Sequence, residues 1–262
     1  MATKKTILLT NDDGFNARGI KCLYDVLSRN YNVVAAAPEY EQSGVGHTFT
    51  FMRPLTYREA GGSDQMPGYL ITGSPADCVK FAISHIMPKR PDIIVSGIND
   101  GDNSGIAAFY SGTLAAAREG AFYGIPSFAF SMWNRSNPHM ERYAEMAPML
   151  IDEILNTPHP PLDTRVFYNI NFPACDPDES KGFKVTWQSM ARYEDYYKKI
   201  EDKNHPHYGA YQVCGDRPAI EESNSFDSRA LINDYIAVTP LNFDSTAHWM
   251  VPYLRQRIED GD

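Results

Sequence analysis

Asp12 and Asp13 are adjacent and stand at the end of an aliphatic run: residues 7–14 read ILLTNDDG. Neighbouring carboxylates repel each other unless a cation neutralises them. A hard divalent ion such as Mg²⁺ or Mn²⁺ accepts carboxylate, amide and hydroxyl oxygens. Asn99 offers an amide oxygen, and Ser43 or Ser96 a hydroxyl. The same string also makes a good turn, because Asn, Asp and Gly favour tight turns and Asp12 can cap a following helix. Gly14 suits both readings.

A second cluster reads NSGIAAFYSGTLAAAREG over 103–120. Gly, Ser and Thr at a helix start expose N–H groups and hydroxyls that can cradle an anion. Tyr110, Ser111, Gly112 and Thr113 can wrap a phosphate, with Asn103 adding an amide donor. Equally, Ser111 or Thr113 can be no more than the helix cap. His47 and His248 are candidates for a general acid or base, because histidine titrates near neutrality. Either can also be a surface or structural residue. Arg118 and Glu119 read as a solvated or structural pair. The run ARYEDYY at 191–197 can stack a base or form an interface.

These groups need a scaffold that brings distant segments together. The first half alternates buried strand-like runs (TILLT, YNVVAAAP, PDIIVSGI, IPSFAFSM) with helical stretches such as ARGIKCLYDVLSR and SPADCVKFAISHIM. That alternation predicts an α/β fold, a Rossmann-like, mostly parallel sheet with helices on both faces. PHMERYAEMAPMLIDEIL predicts a further helix, and RVFYNINFP, FKVTWQSM and DYIAVTPL further strands. HWMVPYLRQRIE predicts a terminal helix. The polar stretch 191–233 has no sustained period and is long for a plain connector. It is expected to be an extended hairpin arm or a lid. Ligands of an open parallel sheet bind beyond the carboxyl ends of its strands. That rule places four loops at one edge: NDDG, PEYEQSGVGHT, NDGDNSG with YSGT, and NFDSTAH after the last strand.

Composition narrows the function classes. The net charge of −9 argues against polymeric nucleic acid as a partner. No apolar run reaches the roughly 18 residues of a membrane span, and the N-terminal apolar run is too short for a signal peptide. A cytoplasmic location is expected. Cys22, Cys78, Cys175 and Cys214 are scattered, without zinc spacing, and are expected to be reduced thiols. There is no Walker P-loop and no GxGxxG after a strand. A phospho-receiver domain needs an acceptor aspartate on a central strand and a later lysine, but PDIIVSGIN ends in Ser and Asn and PSFAFSM has no lysine. A haloacid-dehalogenase-type phosphatase needs a DxD motif, whereas these acids are adjacent. An inactive nucleotide sensor would carry the same pocket.

ILLTNDDG, AAPEYEQSG, TGSPADCV, PDIIVSGIN, YSGTLAAAREG, YGIPSFAFS, NINFP and DYIAVTPL together resemble, in order, the motifs of the survival-protein-E (SurE) family of metal-dependent nucleotide phosphatases. The resemblance covers nearly the whole chain. It implies one SurE-like domain over 1–262, with a Rossmann-like core at 1–135 and a smaller C-terminal part at 136–262. It implies an oligomerisation arm at about 191–233, exchanged between subunits of a homodimer or homotetramer. The implied activity is hydrolysis of nucleoside monophosphates to release phosphate, 5′- and in some members 3′-nucleotidase, with exopolyphosphatase activity in some. The implied cofactor is one Mg²⁺ or Mn²⁺ per subunit, held by Asp12, Asp13, Ser43 and Asn99. The implied phosphate contacts are Asn103, Ser111, Gly112 and Thr113. In place of the family's usual C-terminal TD segment stand Ser225, Phe226, Asp227 and Ser228, so no role is carried over to residues of the arm.

Overall fold

A computed structural model describes residues 4–62, 64, 66–157, 165–201, 209–216, 218 and 222–259. The strands are β1 (Thr6–Thr10), β2 (Asn32–Pro38), β3 (Tyr57–Glu59), β4 (Tyr69–Ile71), β5 (Ile93–Asp100), β6 (Ser127–Met132), β7 (Val166–Phe172), β8 (Phe183–Val185), β9 (Glu194–Ile200), β10 (Ala210–Asp216) and β11 (Ile236–Asn242). The helices are α1 (Arg18–Leu27), α2 (Pro75–Phe81), α3 (Gly112–Phe122), α4 (Met140–Ala144), α5 (Ala147–Asn156), α6 (Asp227–Ile232) and α7 (Val251–Ile258).

Nine strands form one sheet in the order β3-β4-β2-β1-β5-β6-β7-β11-β8. The six from β4 to β7 run parallel. The period of two in β1 explains why both faces must be covered. Ile7 and Leu9 pack with Leu23 of α1 and Tyr143 of α4, whereas Leu8 packs with Val79 of α2 and Ala116 of α3. All three strand residues are fully buried. Truncating one of them to alanine would cost about 2–5 kcal/mol by the usual scale of core deletions. The chain crosses to opposite sides of β1, through α1 to β2 and later back to β5. The switch in strand order therefore falls between β1 and β5, where such sheets open a crevice.

Several expectations change here. β11 pairs antiparallel with β7, in register Val238↔Ile170, and β8 runs parallel to β11. The segment NFDSTAH after β11 therefore leaves at the edge opposite to NDDG. The 140–156 helix is two helices, α4 and α5, broken around Glu145 and Met146 ahead of Pro148. FKVTWQSM forms only the three-residue β8. Strands β3 and β4, at one end of the sheet, were not expected.

The expected arm is also shorter. β9 and β10 form an antiparallel hairpin with Val213 opposite Tyr197. Residues 227–232 are instead α6, whose Ala230 and Leu231 are buried against Ala237 of β11. Within the expected arm at 191–233, residues 202–208, 217 and 219–221 lie outside the described residues.

Candidate active site

Asp12 and Asp13 follow β1 directly, at its carboxyl end. The turn that carries them is set by its neighbours. Asn11 donates its side-chain N–H to the Gly14 carbonyl at 2.8 Å. Gly14 adopts φ 99°, a conformation that side chains rarely allow. The Ser43 loop is tied to the same turn, since the Gln42 N–H donates to the Asp12 carbonyl at 2.7 Å. Asn99 arrives on β5. Between Ser96 and Asn99 this strand carries one more residue than its partner β6, a bulge of the kind that re-aims side chains next to sites.

Asp12, Asp13, Ser43 and Asn99 line one cavity of 1590 Å³, together with Glu41, Asp100, Asp102, Asn103, Tyr110 and Ser111. The root of the hairpin closes another wall with Arg192, Tyr193, Glu194 and Asp195. Ser96, the other hydroxyl considered for a cation, is fully buried within β5 and is not part of that lining.

The two acids differ in environment. Asp12 is 3% exposed. Burial raises its pKa, opposed by the Thr113 hydroxyl, which donates to Oδ1, and by the N–H groups of Thr113 and Gly112. Asp13 is pushed up to about 7, first by burial and then by the charge of Asp12, with Asp100 and Glu41 adding to it. The Asp100 N–H donates to Asp13 Oδ2 at 3.0 Å and works the other way. The charges that act most on Asp13 are thus all negative.

The start of α3 therefore serves Asp12. Its first amides and the Thr113 hydroxyl point at that carboxylate, and Thr113 is fully buried. Gly112 is needed for this approach, because a Cβ there would stand 2.8 Å from Asp12 Cβ and 3.0 Å from Oδ2. Neither residue is part of the cavity lining. Ser111 lines the cavity, but its Oγ also caps α3 by accepting the Leu114 N–H at 3.1 Å. Of the four expected phosphate contacts, Asn103 and Ser111 reach the cavity wall, whereas Gly112 and Thr113 stand behind Asp12.

The chemistry of the donors fits a hard divalent cation. Asp12, Asp13, Asn99 and Ser43 offer oxygen alone. The Asn99 amide nitrogen donates to the Gly101 carbonyl at 2.7 Å, which leaves its oxygen lobe for another partner. Ser43 Oγ donates to Glu41 Oε1 at 2.6 Å and keeps its lone pairs. Among the described residues no group of three or more His, Cys, Asp or Glu is placed to hold a metal. The amide and the hydroxyl would have to complete the set.

Neither histidine reaches the cavity. His47 bonds Glu119 through Nε2 at 2.9 Å and stacks on Phe122. Glu119 is buried, yet His47 and Lys80 outweigh that burial and hold its pKa below the usual range. The expected Arg118–Glu119 pair is thus a Glu119–His47–Lys80 cluster. His248 is exposed and bonds Asp244 at 2.8 Å, beyond the reversed β11.

The family model for survival protein SurE matches residues 7–195. The chain belongs to the SurE family. It is 38% identical over 254 residues to the 5′-nucleotidase SurE of Thermosipho africanus, covering 97% of this chain and 98% of that one. It is 39% identical over 252 residues to the 5′-nucleotidase SurE of Syntrophobacter fumaroxidans, with 95% and 97% covered. The crystal structure of the SurE protein from Aquifex aeolicus superposes with a TM-score of 0.81 at 35% identity, covering 96% of this chain and 99% of that one. Glu41 and Asp100 carry no signal of their own in the sequence, whereas the hairpin root belongs to the ARYEDYY run at 191–197, read as a base-stacking or interface segment. The two acids are marked only by standing close to the QSG and SGIN motifs. Among the described residues no helix is long and apolar enough to cross a membrane.

Proposed function

We propose that this protein is a metal-dependent 5′-nucleotidase that releases phosphate from nucleoside monophosphates. The observation that carries this reading is the meeting of Asp12, Asp13, Ser43 and Asn99, from three separate loops and strands, in one acid-lined cavity. The relatives named 5′-nucleotidase SurE support the substrate class.

Asp12, Asp13, Ser43 and Asn99 would hold one Mg²⁺ or Mn²⁺. When bound, such an ion supplies charge neutralisation at the phosphate and acidifies a coordinated water. Asp12 is fixed by Thr113 and the start of α3, so it serves as a rigid anionic anchor. Asp13 is less enclosed than Asp12 and lines the cavity, a position that suits it to take a proton from an attacking water. Asn103 and Ser111 provide polar contacts to the phosphate oxygens, and the field of the α3 N-terminus favours negative charge nearby. Tyr193, Trp133 and Arg192 line the side of the cavity that a nucleoside would enter.

The β9–β10 hairpin is the proposed arm of a homodimer or homotetramer. Its strands leave Tyr196, Tyr197, Tyr211 and Val213 exposed, an apolar surface of the kind that marks an interface. The cytoplasm is the proposed location.

The test is phosphate release from AMP and GMP with Mn²⁺ or Mg²⁺ by purified protein. A wild-type rate retained in Asp13→Asn and in excess EDTA would overturn the reading. 3′-AMP in the same panel measures positional selectivity, and short polyphosphate measures whether a nucleoside is needed.

A further inference from the structure

Two buried asparagines of the NINFP motif grip the backbone of Asn103. Asn169 and Asn171 alternate on β7 and so project from the same face. Phe167, one step earlier on that face, packs with α3. Both asparagines are fully buried. The Asn103 N–H donates to Asn171 Oδ1 at 2.8 Å. Asn169 Nδ2 donates to the Asn103 carbonyl at 2.9 Å. Asn171 Nδ2 donates to Asn169 Oδ1 at 2.9 Å and joins the two. Asn103 Nδ2 in turn donates to Ser131 Oγ on β6 at 2.8 Å. Ser131 is the register partner of Asn171.

Two side-chain amides thus satisfy the backbone donor and acceptor of this buried loop residue. A sheet strand buried on both faces normally carries Val, Ile or Leu at such positions. Asparagine there is costly unless each polar atom is paired. Here the pairing converges on one residue, which lines the cavity next to the acid pair. Ser131 takes one of the two amide hydrogens of Asn103, and the second hydrogen and the oxygen remain. A site holds its geometry when its contacts are locked by surrounding hydrogen bonds on rigid elements.

We propose that Asn169 and Asn171 are positioning residues that set where Asn103 meets the phosphate. This rests on the phosphatase reading above. The competing role is structural only, with the amides satisfying one another inside the core.

A double-mutant cycle separates the two. Asn169→Leu is made in the wild type and in Asn103→Ala, and kcat/KM for AMP with Mn²⁺, the inhibition constant of inorganic phosphate and Tm are measured. Asn103→Ala alone is expected to lower kcat/KM about tenfold or more. Asn169→Leu is expected to lower kcat/KM and weaken phosphate inhibition about tenfold in the wild type, and less than about twofold in Asn103→Ala. Tm is expected to fall by the same amount in both backgrounds. Equal losses of kcat/KM in the two backgrounds would overturn the proposal. So would a lowered Tm with unchanged kinetics, or an Asn103→Ala variant with wild-type kinetics. If Asn169→Leu does not fold, Asn169→Ser and Asn171→Ser carry the same cycle with the same criteria. A wild-type protein that releases no phosphate from AMP overturns the phosphatase reading itself. An additive cycle in an active enzyme overturns the positioning role alone.

Discussion

Thr113 donates its hydroxyl to the carboxylate of Asp12 across 101 residues of chain, with both groups buried. One comes from a helix start and the other from a strand end. The bond explains how a carboxylate can sit almost fully buried beside a second one. Hydrogen bonds to a charged group are worth about 1.5–3 kcal/mol.

Thr113→Val keeps the shape of the side chain and removes this donor. The variant is expected to fold and to lose about 10–100-fold in metal affinity and kcat/KM, the usual effect of removing a group that orients a ligand. Activity titrated against Mn²⁺, with circular dichroism as the folding control, checks it. Unchanged metal dependence would show that the α3 amides suffice.

Gly112→Ala pits two effects against each other. Alanine favours the helix by about 0.5–1 kcal/mol over glycine. Its Cβ, however, would press on Asp12 and stand 3.0 Å from Pro75 Cγ. Tm is expected to move little while kcat/KM falls at least about tenfold, because the displaced atom belongs to the site.

Asp13→Asn removes one of two desolvated neighbouring charges. The metal-free protein is expected to melt higher by a few degrees, on the scale of about 2–4 °C per kcal/mol for a chain of this size. The same variant is expected to lose activity. Calorimetry in EDTA beside the phosphate assay tests this trade of stability for function. A lower Tm would mean that the bond to the Asp100 N–H outweighs the repulsion.

Asp64 gives the acid limb a defined sign. Arg58, the Gly61 N–H and Asn16 hold its pKa down at about 2, below the ordinary 3.8. A depressed carboxylate contributes stability that is present above its unfolded pKa and is lost as pH falls through the folded one. The loss is therefore expected between about pH 4 and pH 2. Melting curves of wild type and Asp64→Asn should converge over that window and differ at pH 7. Parallel curves throughout would remove Asp64 from the acid response.

Tyr197→Glu with Tyr211→Glu places charge on the exposed face of the hairpin, where Tyr197 and Tyr211 lie on the same side in register with Val213 and Lys199. The assembly is expected to shift towards monomer in light scattering. An unchanged mass would place the interface elsewhere.

Much of this protein is legible in its residues alone. ILLT followed by NDDG marks a buried strand that ends in acids, because apolar runs and turn formers act locally. The parallel core follows from alternating strand and helix patterns, and the family from eight motifs in order. What the chain order does not encode locally is the direction of a strand and the partner of a polar group. β11 reads as one more buried strand, yet it runs backwards beside β7, and that reversal carries His248 away from the acids. SGT reads as a phosphate cradle, yet the Gly112 and Thr113 amides and the Thr113 hydroxyl face Asp12, because α3 packs across β5, β6 and β7 with its first turn against that carboxylate. The asparagines of NINFP break the apolar pattern without saying why. Only tertiary structure supplies the reason, by bringing the backbone of Asn103 to within hydrogen-bonding distance of strand β7.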